Sequence, residues 1–292
     1  MSETTKDSTF VDAEPARPVD QAAGTKSRSE RARHSAYRSR FALVYVLLAI
    51  VAGAGIGALI VVLGKPEAAP APKWSDWQPQ GSDDAKLKQI ADHVSRRYKL
   101  DSGGELAVAL PSSPQVTSPG QAGSPAVSVP VSAIAIRPDT SRGQAEENDI
   151  DVVSGGNSIM YSLCGLGDSC SISEGVPSEA RHALLRREAL ELSLYTFKNV
   201  KGIDSVTVFL PPRPDGQAAP TAVFLKRSDV QDELKQPLPK TLGQLVPGIG
   251  ELDGKELATV NRLTRPRLYS YEYTQAQDGS AILILTPVVL GA

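Results

Sequence analysis

The sequence predicts an α+β protein: a single transmembrane helix, then an extracytoplasmic domain with a mainly antiparallel sheet and one long packed helix. Three observations carry that expectation. An uncharged apolar run, Phe41–Gly64, follows a dense basic block. Beyond it, segments of helical and strand periodicity mix without a regular strand–helix–strand alternation, the pattern of α+β folds. The longest helical pattern, Glu179–Val200, lies between strand signals on both sides.

The chain has 292 residues, 41% hydrophobic and 22% charged, with a net charge of -2. That balance fits a folded protein over most of the length and gives no electrostatic footprint for nucleic acid. The average hides an asymmetry. Residues 1–25 carry Glu3, Asp7, Asp12, Glu14 and Asp20 against Lys6 and Arg17. Residues 26–40 carry Lys26, Arg28, Arg31, Arg33, Arg38 and Arg40 against Glu30 alone. Residues 1–40 hold few large apolar groups, so a disordered tail is expected. Its basic part should lie on anionic lipid, each base contributing about 1 kcal/mol. Ser27, Ser29, Ser35 and Ser39 are interleaved with those bases, and phosphorylation there would weaken the attraction.

Residues 41–64 would form a helix about 36 Å long at ~1.5 Å per residue, enough for a hydrocarbon core of about 30 Å. The bases precede this span, so the positive-inside rule places the N-terminus in the cytoplasm and the domain outside a plasma membrane. A cleaved signal peptide would have a shorter apolar core and a shorter charged region. Membrane lipid is therefore the expected partner of residues 26–64. Ala49, Gly53 and Gly57 recur every four residues, a small-residue face on which two such helices can dimerise. Residues 65–82 form a Pro-rich stalk, with Trp74 and Trp77 expected to dock on the folded domain, the alternative being contact with the membrane interface.

The domain is expected over residues 83–292. Ser82 is a good N-cap, and Leu87, Ile90, Ala91, Val94 and Tyr98 recur at helical spacing through Asp83–Tyr98. A short strand follows at 105–110, then a flexible Pro/Ser/Gly-rich loop at 111–126. Val127–Ile136 resumes as a strand, with Pro130 suited to a sheet edge. Asp149–Val153 and Ser158–Leu163 flank "SGGN" as a hairpin candidate. After the long helix, "DSVTVFL" and "TAVFLK" are strands. Ser228 with Gln231 suggests a capping box, and Asp253 with Glu256 another helix start. "RLYSYEYTQ" and "AILILTP" close the chain as a hairpin through "QDGS".

Cys164 and Cys170 are the only cysteines. Outside the cytoplasm thiols oxidise, and the bend-permitting "GLGDS" between them suits a structural disulfide. Their spacing is not the C-x-x-C of redox sites. A metal site would need further close ligands, and only His93 and His182 lie on the same side. Closing the loop would stabilise by about 2.4 kcal/mol in the chain-entropy model.

"YSLCGLGDSCSI", "PSEARHALLRREALELSLYTFK" and "DSVTVFLPPRP" together resemble an uncharacterised family of single-pass membrane proteins from actinobacteria. The likeness runs from about Ser158 to the C-terminus. It implies an envelope-facing domain and brings no activity and no catalytic residue.

On the long helix, Leu185, Ala189, Leu190, Leu192, Leu194, Phe197 and Val200 form an apolar arc, and Arg187, Glu188, Glu191 and Lys198 are expected on the solvent side. Arg186 falls inside the arc, near Glu179 and His182. Three readings stand: it bonds loop carbonyls or a carboxylate, it grips an anionic ligand in a polar pocket beside the cysteine loop, or the helix is rotated and it is exposed.

No G-x-S-x-G, H-E-x-x-H or P-loop occurs, so no catalytic residue, cofactor or metal is expected. The function expected is a membrane-anchored interaction or structural module of the cell envelope, binding an envelope protein or wall component. The alternatives are a signalling protein with a phosphorylatable tail and an envelope enzyme.

Overall fold

The computed structural model describes residues 41–54, 73–118, 127–139, 149–212 and 219–288. The chain divides into two compact units, Met1–Ala71 and Pro72–Ala292. In the first, residues 41–54 form helix α1, with Phe41, Leu43, Leu48 and Ile50 exposed. Ala49 and Gly53 of the small-residue face lie on it; Gly57 and the remainder of the expected span, 55–64, lie outside the described residues. So do the expected tail, 1–40, and stalk residues 65–72. Among the described residues no helix is long and apolar enough to cross a membrane.

The second unit is α+β with a mainly antiparallel sheet. Its elements run α2 (Asp83–Ser95), β1 (Val108–Ser112), β2 (Gln115–Ser118), β3 (Val127–Ile136), β4 (Asp151–Ser154), β5 (Ser158–Cys164), α3 (Glu179–Asn199), β6 (Ser205–Phe209), β7 (Thr221–Lys226), α4 (Gln231–Lys235), α5 (Gly254–Thr264), β8 (Leu268–Gln275) and β9 (Ala281–Pro287). The strands join one sheet in the order β1-β5-β6-β7-β8-β9-β3-β2, with β4 also paired to β3. Two pairings are parallel, β5 with β6 and β3 with β9; the other six are antiparallel. The β5–β6 pair is joined by α3, because parallel neighbours need a crossover rather than a tight turn.

Each face of the sheet has its own core. Alternate residues of the central strands (Ile159 and Tyr161, Val206 and Val208, Val223 and Leu225) bury against the helices, joined by Ile90 and Val94 of α2 and by Val260 and Leu263 of α5. The intervening residues, Met160, Phe209 and Phe224, join a smaller cluster with Ile134 of β3 and Leu283 and Leu285 of β9. Tyr269 and Tyr271 of β8 link the two groups, so this cluster runs along one face from β5 to β3. Trp74 is buried and meets Tyr195 edge-on, and Trp77 stacks on His93 at 3.9 Å, so residues 73–82 pack on the domain.

Local signals place several elements as expected. Ser82 caps α2 through the Ala85 N–H at 3.4 Å. Asp253 caps α5 through the N–H groups of Lys255 and Glu256, both at 2.8 Å. The β8–β9 hairpin turns at Gly279, whose φ of +85° suits a residue without Cβ. Pairing of β3 with β9 begins only at Val131, so Pro130 stays off the doubly paired part of its strand.

Other expectations are corrected. β4 and β5 do not form a hairpin. β4 is mostly exposed and pairs with β3, whereas β5 is buried along most of its length between β1 and β6. "SGGN" is used for close approach instead: a Cβ on Gly155 would lie 1.9 Å from the Val131 carbonyl oxygen. The expected loop 111–126 contains the end of β1 and all of β2; 119–126 lies outside the described residues. The cap expected at Ser228 is made by Asp229, whose carboxylate accepts the Lys226 N–H at 2.8 Å.

The largest correction concerns α3. Arg187, Glu188 and Glu191 are not on a solvent face but fully buried, because α2, α5 and the segment around Gly243 cover the outer side of the helix. Two of them form an internal ionic network. Arg187 donates to Glu256 at 2.7 Å, to Glu191 at 3.1 Å, to the Tyr98 hydroxyl at 2.6 Å and to the Gly243 carbonyl at 3.0 Å. Glu191 also accepts from Arg97 at 2.6 Å and Tyr98 at 2.7 Å. Burial works to lower the Arg187 pKa, but Tyr98, Glu191 and Glu256 together raise it.

Candidate functional site

A cleft of about 350 Å³ opens at the N-terminal end of α3. One wall is the start of that helix: Pro177, Ser178, Glu179, Arg181, His182 and Leu185. The facing wall is Leu210, Pro211 and Pro212 after β6, with Ala219, Pro220 and Thr221 leading into β7. Leu268, at the start of β8 beside β7, and Val288, just after β9, also line it, with Ile172 from the cysteine segment. Leu166 and Val176, on segments bordering the cleft, are 66% and 78% exposed. Most of the lining residues are therefore aliphatic or proline; the charged side chains and His182 stand on the helix wall, and Thr221 is the polar residue of the facing wall.

The cysteine segment is held by a Cys164–Cys170 disulfide, Cα to Cα 4.4 Å. The bend is made in an unexpected way. Positive φ falls on Ser169 (52°) and Cys170 (65°), not on the glycines. Gly165 and Gly167 instead allow the two arms of the loop to touch. Gly165 N–H donates to the Cys170 carbonyl at 2.9 Å and Gly167 N–H to the Ser171 carbonyl at 2.8 Å. A Cβ on Gly165 would stand 2.2 Å from the Ser171 carbonyl oxygen.

The α3 end is organised by Ser178, whose hydroxyl accepts the Arg181 N–H at 3.1 Å. Glu179 is shared by two guanidinium groups, Arg265 at 2.8 Å and Arg186 at 3.3 Å. His182 Nδ1 stands 4.0 Å from Glu179. Burial and the nearby Arg186 lower the His182 pKa, outweighing Glu179, so the imidazole is neutral at pH 7.

Of the residues singled out from the sequence, Glu179 and His182 do line the cleft. Arg186 does not. It is fully buried and turned toward α5, donating to Asn261 at 2.9 Å and Thr264 at 3.0 Å. With the Glu179 carboxylate at 3.3 Å it meets the carboxylate of the first reading, while Asn261 and Thr264 were not among the expected partners. Its full burial under α5 excludes the exposed reading, and it is not among the residues lining the cleft.

Sequence reasoning missed Arg181. It is 5% exposed, lines the cleft and donates Nη1–H to the Glu174 carbonyl at 3.0 Å. A signal was present: a base in the first turn of a helix opposes the helix dipole, which favours acids there. Among the described residues no group of three or more His, Cys, Asp or Glu side chains could hold a metal ion. The arrangement suits binding: an apolar trough with one charged donor at its helix wall. Comparison with protein-family models, with curated proteins and with solved structures finds no match.

Proposed function

We propose that the chain is a single-pass membrane protein whose C-terminal α+β domain lies outside the cytoplasm and works as an interaction module of the cell envelope. The observation that carries this reading is the uncharged run Phe41–Gly64 with six bases before it. The disulfide fits the same side of the membrane, since such bridges persist in oxidising compartments. So does the resemblance to single-pass membrane proteins of actinobacteria. The cleft, with its exposed Leu166 and Val176 nearby, is the surface we assign to the partner.

The test is topological. A C-terminally tagged chain in intact protoplasts is exposed to an impermeant protease. Loss of the tag with survival of an N-terminal tag is expected. A C-terminal tag protected until the membrane is lysed refutes the reading. Photo-crosslinkers at Leu166 and Val176 then identify the partner. Crosslinks no richer there than at exposed Val152, on the distant strand β4, argue against the cleft as its surface.

A further inference from the structure

Three arginines of α3 are buried: Arg181, Arg186 and Arg187. Two have carboxylates. Arg186 is paired with Glu179, and Arg187 with Glu191 and Glu256. Arg181 has none among the described residues; its one hydrogen-bond acceptor is the Glu174 backbone carbonyl. Burial lowers its pKa, and no acid acts in the opposite direction. A buried charge without a counter-charge is costly, so such groups are paired, coordinate a ligand, or face one.

The surroundings of Arg181 reinforce the deficit. The first turn of α3 presents its positive dipole end to the same cleft. The acid nearest on that wall, Glu179, is already shared by Arg186 and Arg265, and His182 adds no negative charge. The opposite wall is mainly apolar, built on Leu210 and Pro211 with Thr221 as its polar residue, and Leu185 and Leu268 also line the cleft.

We propose that this cleft binds a small organic anion: a carboxylate, seated on the Arg181 guanidinium, carried by an apolar chain that lies over Leu185, Leu210 and Leu268. The proposal rests on reading the cleft as a binding site and not on the membrane topology. The volume of about 350 Å³ lies at the lower end for ligand sites, which favours a short chain. A single guanidinium without a carboxylate partner among the described residues, in a cleft that Glu179 also lines, favours a monoanion over a phosphate dianion. The carboxylate could belong to a free short-chain acid or to a peptide C-terminus ending in an apolar residue.

The test uses the full-length chain in lipid nanodiscs, with empty nanodiscs as the blank, and hexanoate and hexanamide as probes by saturation-transfer NMR and calorimetry. Hexanoate should bind at least about tenfold more tightly than its neutral isostere, because a charge-assisted contact is lost in the amide. Arg181→Gln should abolish that preference while leaving the folded signal in circular dichroism. If Arg181→Gln fails to fold, the acid-to-amide ratio of the wild-type chain decides alone. N-acetyl-alanyl-leucine and its C-terminal amide separate the two sources: a dipeptide acid that outcompetes hexanoate assigns the site to a peptide end, and one that does not assigns it to a free acid. Equal affinity for hexanoate and hexanamide, hexanoate binding unchanged in folded Arg181→Gln, or no binding above the blank overturns the proposal. None of these outcomes depends on the protease result, so the two readings fail separately.

Discussion

Glu188 should make the domain less stable as the pH rises from acid toward neutrality. It lies in the middle of α3 with no exposed surface, and neither carboxyl oxygen has a hydrogen-bond partner among the described residues. Burial pushes its pKa well above the ordinary value of 4.5, and the neighbouring acids Glu191 and Glu105 push in the same direction. In the fold the carboxyl group therefore keeps its proton at pH values where the unfolded chain has released it. Between those two pKa values the native state holds one proton more than the unfolded state. Stability is then complete below the unfolded value and falls as pH rises, by about 1.4 kcal/mol per pH unit, until the folded pKa is reached. Glu188→Gln removes the titration and keeps the shape. The measurement is urea unfolding at pH 5 and 6, read by the fluorescence of Trp74 and Trp77, for wild type and variant. The wild type should lose about 1.4 kcal/mol relative to the variant over that unit. His93 and His182, whose pKa values burial lowers, act oppositely by destabilising the fold as pH drops below 6.5. Both are common to the two proteins and cancel in the difference. Parallel stability curves for wild type and Glu188→Gln would refute the reasoning, since they would mean that the buried acid has found a partner or is ionised.

Three further outcomes follow from the same geometry. Arg187→Met should destabilise the domain by about 3–5 kcal/mol in urea unfolding, because Glu191 and Glu256 would be left buried without their shared cation. Cys164→Ser, or reduction of the wild type, should cost up to about 2.4 kcal/mol. Release of the positive φ at Ser169 and Cys170 returns part of that, and comparison of Tm with and without reductant measures the net. Gly165→Ala should cost about 1–3 kcal/mol through the clash with the Ser171 carbonyl, whereas Gly156→Ala, whose Cβ would meet nothing closer than 3.7 Å, should not.

Much of the element list could be read locally. Ser82, Asp253 and "QDGS" carry their own start and turn signals, and the structure uses each of them. The pairings were not equally readable. Asp149–Val153 and Ser158–Leu163 have the spacing of a hairpin, yet β5 is buried on both faces and goes to the interior of the sheet, while β4 stays at its margin. Period-two patterning reports burial of a strand, not which strand lies beside it. In the site, the cysteine pair, Glu179 and His182 were legible from residue type and spacing. Arg181 carries a weaker signal, its place in the first turn of α3, where a base opposes the helix dipole.

Residue chemistry alone settled the mixture of helices and strands, the capping residues and the closing hairpin, because those depend on neighbours a few positions apart. It also brought Cys164 and Cys170 close enough to join. The fate of the charges on α3 depended on neighbours far along the chain. Glu256, Tyr98 and Gly243 turn an apparently solvent-facing edge into a buried ionic network, and α5 takes Arg186 away from the cleft. Among the described residues, Arg181 is left as the buried base of α3 without an acid. A charge's partner is set by what packs over it, and helical periodicity carries no information about what that will be.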